Sequence, residues 1–188
     1  LRLGMFSRPC LVAHAVHLTD EEIAVLAEHG VSVSHNPGSN LKLASGIARV
    51  RDMLKAGITV SLGTDSSASN NNVDMFDEIR LAALLQKGAT LDPTAVPAAE
   101  ALAMATEYGA TAVWQSGVFG RLAPGMKADF IAVDVDQPHF YPHTDLVSHL
   151  VYSASGHDVT DVCVDGRWLM RNRELLTLDE ERIKHEAG

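Results

Sequence analysis

Residues 61–80 read SLGTDSSASNNNVDMFDEIR. An apolar run, 58–62, ends in Gly63-Thr64-Asp65; small and amide residues fill 66–72, and then a new amphipathic run begins. A carboxylate that follows a buried strand must be paired, hydrogen-bonded or metal-bound, because isolated burial of charge is costly. No Lys or Arg stands near Asp65 in sequence. An Asx-turn is one outlet for its lone pairs and a metal ion is another. Upstream, the short apolar runs 10–14 (CLVAH) and 31–35 (VSVSH) have the same form and end in His14 and His35.

The segments between these runs are helical. Thr19 followed by Glu22 is a capping-box start, Ile23, Leu26 and Ala27 form one apolar face, and Gly30 is a stop. The spacing predicts a second helix over 47–56, stopped at Gly57, with 36–43 (NPGSNLKL) as a polar loop between strand and helix. Residues 10–65 therefore read β-α-β-loop-α-β. The strands are continuous apolar runs more than alternations, which suits parallel strands covered on both faces. Alternating strands and helices of this kind predict an α/β fold with a parallel sheet, open or closed into a barrel. No GxGxxG follows a strand, so a dinucleotide fold has no motif support.

Downstream, helices are predicted over 73–87 and 98–113. From Gly117 the texture changes. Two strands are expected around the Pro124-Gly125 turn, then a helix over 144–153 capped by Thr144. A hairpin over 159–170 is signalled by its Asp165-Gly166 turn, and a charged helix is expected over 178–185. We divide the chain near 116 into an α/β part, 1–116, and a smaller β-rich part, 117–188. Positions 1–10 read as the tail of a helix running into a Pro-marked loop. With no Met at position 1, the expectation is that the sequence starts within something larger.

Composition narrows the function classes. The 188 residues are 46% hydrophobic, enough for a sizeable core, and carry a net charge of −9, which argues against nucleic-acid or anionic-membrane partners. No apolar run approaches a membrane span. The two cysteines, Cys10 and Cys163, lie in strand-like runs and read as reduced, buried thiols of a cytoplasmic protein.

His14, His35 and Asp65 end three successive strands. In a parallel sheet or barrel, all strand C-termini open on one face, where active sites are built. His14 is read as functional and His17 as structural. His35 is a candidate either to hold substrate or to brace the site. Asn36, Ser39 and Asn40 are candidates for substrate binding or for turn formation. His139, His143, His149, His157 and His185 are read as surface or packing residues.

The stretches AHAVHLTDEEI (13–23), SHNPGSNLKLASGIA (34–48) and LGTDSSASNNNVDMFDEIRLAALLQK (62–87) resemble the amidohydrolase superfamily. So do GRLAPGMKADFIAVDVD (120–136) and 146–177. Within it the resemblance is to the branch of 5-methylthioadenosine/S-adenosylhomocysteine deaminases and triazine hydrolases. It implies the C-terminal part of a (β/α)8 metal-dependent hydrolase barrel, with strands 6, 7 and 8 ending at His14, His35 and Asp65, plus part of a small β-sandwich. It further implies that Asp65 ligates Zn2+, or another divalent metal such as Fe2+, and takes a proton from the hydrolytic water. By the same pattern His14 hydrogen-bonds the attacking water, and the loop after Asp65 lines the substrate pocket. His35, Asn36, Ser67 and Asn70 are the candidate substrate contacts.

The implied reaction is hydrolytic deamination of an aminopurine nucleoside such as 5-methylthioadenosine or S-adenosylhomocysteine, releasing ammonia. A triazine or guanine-type amidohydrolase is the alternative within the class. A catalytically incomplete fragment, or a non-catalytic scaffold, is the alternative outside it. The family's HxH after strand 1, its strand-5 His and its HxxE glutamate have no counterpart in this sequence. The N-terminal half of the barrel is therefore the expected partner, with a small-molecule substrate and a possible homo-oligomer.

Overall fold

The computed structural model describes residues 4–188. It is mixed α/β, with one three-stranded parallel sheet and one four-stranded antiparallel sheet. The parallel sheet is formed by β1 (Leu11–Ala13), β2 (Ser32–His35) and β3 (Val60–Leu62), in that spatial order. Val12 pairs with Val33, and Val33 with Val60. Val33 and Val60 are fully buried, as the continuous apolar runs require.

Helix α1 (Asp20–Glu28) links β1 to β2. Thr19 accepts from the Glu22 N–H and Glu22 reaches back to the Thr19 N–H, so the predicted capping box is present. The expected loop at 36–43 is instead a short helix, α2 (Pro37–Lys42). Pro37 presets φ for a first helical position, and Pro37, Ser39 and Asn40 are buried. Polar composition suggested solvent here, whereas these polar side chains face other polar groups. The second predicted helix is confined to α3 (Val50–Lys55).

Past β3, the supposed loop contains a one-turn helix, α4 (Ser67–Asn70), and the helix predicted over 73–87 is α5 (Met75–Thr90), capped by Asp74. The helix expected over 98–113 is broken into α6 (Ala98–Ala105) and α7 (Glu107–Ala112). Thr106 sits between them at φ −125°, ψ −97°, and its hydroxyl donates to the Leu102 carbonyl at 2.8 Å. Such back-bonding competes with helix continuation.

The second sheet runs β4 (Phe130–Val133), β5 (Val159–Val164), β6 (Arg167–Arg171) and β7 (Glu174–Leu175). The Asp165-Gly166 hairpin is as expected. The strand expected before the Pro124-Gly125 turn is not formed; Lys127 N–H instead returns to the Val118 carbonyl at 2.8 Å. Helix α8 (Leu146–Tyr152) is capped by Asp145 and not by Thr144, since Asp145 accepts from the N–H groups of Val147 and Ser148. Arg80 of α5 donates to the carbonyls of Tyr152 and Ala154, tying α8 to α5. Helix α9 (Glu180–Ala187) closes the chain. Of the helix tail expected over 1–10, residues 1–3 lie outside the described residues, and 4–10 form turns without helix.

Candidate active site

The β1–β2–β3 ladder runs on into the residues that follow it. His14 N–H donates to the Ser34 carbonyl at 2.8 Å, and Gly63 N–H to the His35 carbonyl at 2.9 Å. Immediately beyond, the chain turns sharply. His14 has φ +66° and Asp65 has φ +60°, so both lie in the left-handed region that side chains with a Cβ disfavour. The turns aim both side chains at the same space. His14 Nε2 stands 3.8 Å from Asp65 Oδ2, beyond hydrogen-bond length, with the two side chains 41% and 31% exposed.

Two adjacent residues of α2 hold this pair. Ser39 Oγ donates to Asp65 Oδ2 at 2.7 Å, and Asn40 Oδ1 lies 2.8 Å from His14 Nδ1. A carbonyl oxygen can only accept, so Nδ1 carries the proton in the neutral ring and the Nε2 lone pair faces Asp65. Ser66 N–H donates to Asp65 Oδ1 at 2.8 Å. The Ser39 hydroxyl, then the Ser69 hydroxyl and the Ser66 N–H, hold the Asp65 carboxyl below the usual carboxylate range against a smaller effect of burial. Asp65 is thus an ionised carboxylate at neutral pH with its oxygens fixed in direction.

His35 is 1% exposed, and neither ring nitrogen has a hydrogen-bond partner. Burial, and then the His14 ring, lower its pKa to about 4, so the ring is neutral at pH 7. Asn36 is buried and donates to the Ser34 carbonyl at 3.2 Å. Ser67 is exposed at the start of α4. Asn70 directs its amide inward, to the Thr64 carbonyl at 2.7 Å and to Glu78 Oε1 at 2.8 Å. His14 and Asp65 therefore face each other, Ser67 is exposed, Asn70 is half-buried, and His35 and Asn36 are buried. His17 is exposed.

Ser39, Asn40 and Glu78 did not stand out from sequence as supports of the pair. One signal was available for Glu78. It shares a helix face with Ala82 and Gln86, four and eight residues on, and all three are buried.

Among the described residues, no group of three or more His, Cys, Asp or Glu gathers to hold a metal ion. A catalytic zinc takes about three protein ligands. An ionised, half-open carboxylate beside an imidazole fits one of those ligands and not a complete set. Among the described residues, no helix is long and apolar enough to cross a membrane.

A model of the amidohydrolase family matches residues 2–169. The chain is 58% identical over 188 residues to a 5-methylthioadenosine/S-adenosylhomocysteine deaminase of Dictyoglomus thermophilum, covering 99% of this chain and 43% of that protein. Among solved structures, an adenosine deaminase from Xanthomonas campestris with bound zinc superposes with a TM-score of 0.92 at 40% identity, over 94% of this chain and 40% of that one. An atrazine chlorohydrolase from Arthrobacter aurescens, complexed with zinc, follows at a TM-score of 0.85 and 33% identity, over 94% and 39%. The chain thus spans less than half the length of each of these relatives.

Proposed function

Since the chain belongs to the amidohydrolase family, we propose that it contributes strands 6–8 and their site residues to a metal-dependent deaminase acting on an aminopurine nucleoside such as 5-methylthioadenosine or S-adenosylhomocysteine. The observation that carries this reading is the convergence of His14 and Asp65, both at positive φ and each held by a neighbouring residue of α2. The identity of 58% to a deaminase of that name, against 33% to a triazine enzyme, favours the nucleoside over the triazine.

Asp65 is the residue of this chain that would ligate the metal, with the remaining ligands and the general-acid glutamate supplied by the portion of the enzyme that this chain does not match. A divalent metal, zinc in the two solved relatives, supplies acidification of water and polarisation of the reacting carbon's surroundings. Asp65, ionised and oriented, accepts a proton from the attacking water. His14 Nε2, kept free of the ring proton by Asn40, accepts a hydrogen bond from the same water and fixes its approach. Water's oxygen replaces the exocyclic amino group, the C–N bond breaks, and the displaced nitrogen leaves as ammonia with the protons delivered to it. Ser67 is assigned to substrate contact, and His35, Asn36 and Asn70 to support of the site.

In this reading 1–116 belongs to the barrel and 117–188 to a composite small domain, and the enzyme acts in the cytoplasm, where the free thiols of Cys10 and Cys163 persist. The test is ammonia release from 5-methylthioadenosine, S-adenosylhomocysteine and a chlorotriazine by the zinc-loaded enzyme. Turnover of the nucleosides well above the triazine is expected. The reverse order of rates would replace the reading by the triazine one, and no turnover of any of the three would sink both.

A further inference from the structure

Glu78 is a carboxylate 1% exposed, and among the described residues no Lys or Arg pairs with it. Its two oxygens have separate tasks. Oε2 accepts the Gly38 backbone N–H at 2.9 Å, and Oε1 accepts the Asn70 amide at 2.8 Å. Gly38 immediately precedes Ser39 and Asn40, which hold Asp65 and His14. Asn70 uses the same amide nitrogen to hold the carbonyl of Thr64, the residue before Asp65, at 2.7 Å. One buried carboxylate therefore fixes both segments that carry the His14–Asp65 pair.

The fit is close. A Cβ built on Gly38 would lie 2.3 Å from Glu78 Oε1 and 3.1 Å from Asn70 Nδ2, so a side chain there would displace the carboxylate. Burial pushes the Glu78 carboxyl up, opposed by the Gly38 and Asn70 donors. An apolar side chain would fill this space without that cost. It would leave the two donors unsatisfied and the two segments unlinked.

We propose that Glu78 is a positioning residue of the deaminase site, fixing α2 against the Asp65 loop so that Ser39 and Asn40 hold Asp65 Oδ2 and His14 Nδ1 in register. This rests on the reading of His14 and Asp65 as the reacting pair. Glu78 touches neither of them and acts through Gly38 and Asn70.

Glu78→Gln tests it, because the amide keeps the size of the side chain but turns one acceptor into a donor facing a donor. In the assembled enzyme, kcat for 5-methylthioadenosine is expected to fall on the order of 10-fold to 100-fold with KM little changed, as misplacement of a catalytic group predicts. Nitrogen-15 NMR of the imidazoles should show His14 losing its single Nδ1–H tautomer, a signature that loss of stability alone does not produce. Should Glu78→Gln fold poorly, Gly38→Ala displaces the same carboxylate and should give the same kcat loss and tautomer change. Unchanged kcat and an unchanged His14 spectrum in the folded variants would overturn the proposal. So would a kcat loss that only follows the folded fraction. Should the wild-type enzyme release no ammonia, the deaminase reading fails on its own, while the His14 spectra of wild type and variants still decide whether Glu78 sets that ring.

Discussion

A residue other than glycine held at positive φ costs about 1 kcal/mol or more, and the chain accepts that cost at His14 and again at Asp65. Asp tolerates the left-handed region better than most residues, and Asn tolerates it as well. Asp65→Asn therefore separates chemistry from folding. Its backbone conformation and its contact with Ser39 are retained, while the charge that takes the proton is lost. Expected is a melting temperature within a few degrees of wild type, with deaminase activity reduced roughly 10²–10⁴-fold, measured by thermal denaturation and ammonia release on the same preparation.

His35 gives the second prediction at this scale. Its folded pKa of about 4 lies below the ordinary 6.5. Between those values the unfolded chain binds a proton that the folded chain refuses, so stability falls as pH drops through 6.5 towards 4. The full effect is about 3 kcal/mol. Urea titrations at pH 7 and pH 4.5 should show the loss, and His35→Leu should flatten it; an equal slope in both proteins would show that other groups govern acid sensitivity. His14 and Asp65 were legible in the sequence because each ends an apolar run. Their supports were not, since Ser39, Asn40 and Glu78 act through contacts between segments 26 to 40 residues apart.

Elements were legible where a local rule sufficed and misread where a distant contact decided. Thr19 and Glu22 close a capping box within four residues, and Asp165-Gly166 closes a hairpin within two. Both need only short-range chemistry. Thr19→Ala should cost about 1 kcal/mol of stability, readable as a shift in denaturation midpoint at constant slope. The segment 36–43 looked like a loop because its polar residues have buried partners on other elements. The single helix expected over 98–113 breaks at Thr106, and there Gly120 packs in. A Cβ at Gly120 would lie 2.9 Å from Ala110 Cβ and 3.0 Å from Glu107 Cα, at φ +101°. Both neighbours are on α7 and neither is a flexible side-chain end. Gly120→Ala is thus expected to destabilise by more than about 1 kcal/mol, and a neutral result would mean that α7 can shift away from the 120 loop.

At the scale of the whole molecule, the parallel sheet has only three strands, and β1 and β3 each pair on one side alone among the described residues. Parallel sheets are stable when covered and continued, and strand edges left unpaired are templates for further pairing. The site sits on the same open sheet and shows the same shortfall, with one oriented carboxylate where a catalytic zinc takes about three protein ligands. The two facts belong together, because strands that continue the sheet would bring their own C-terminal ends, and any ligands there, to the face that carries His14 and Asp65. The 188-residue chain by itself is accordingly expected to lose zinc during desalting against a mild chelator. The same sequence joined to the portion of the Dictyoglomus thermophilum deaminase that it does not match should retain the metal and release ammonia. Elemental analysis after desalting gives the answer. Zinc held in stoichiometric amount by the chain alone would show that donors within these 188 residues assemble in a way that the His14–Asp65 geometry does not provide, and the division of ligands between the two portions would have to be redrawn.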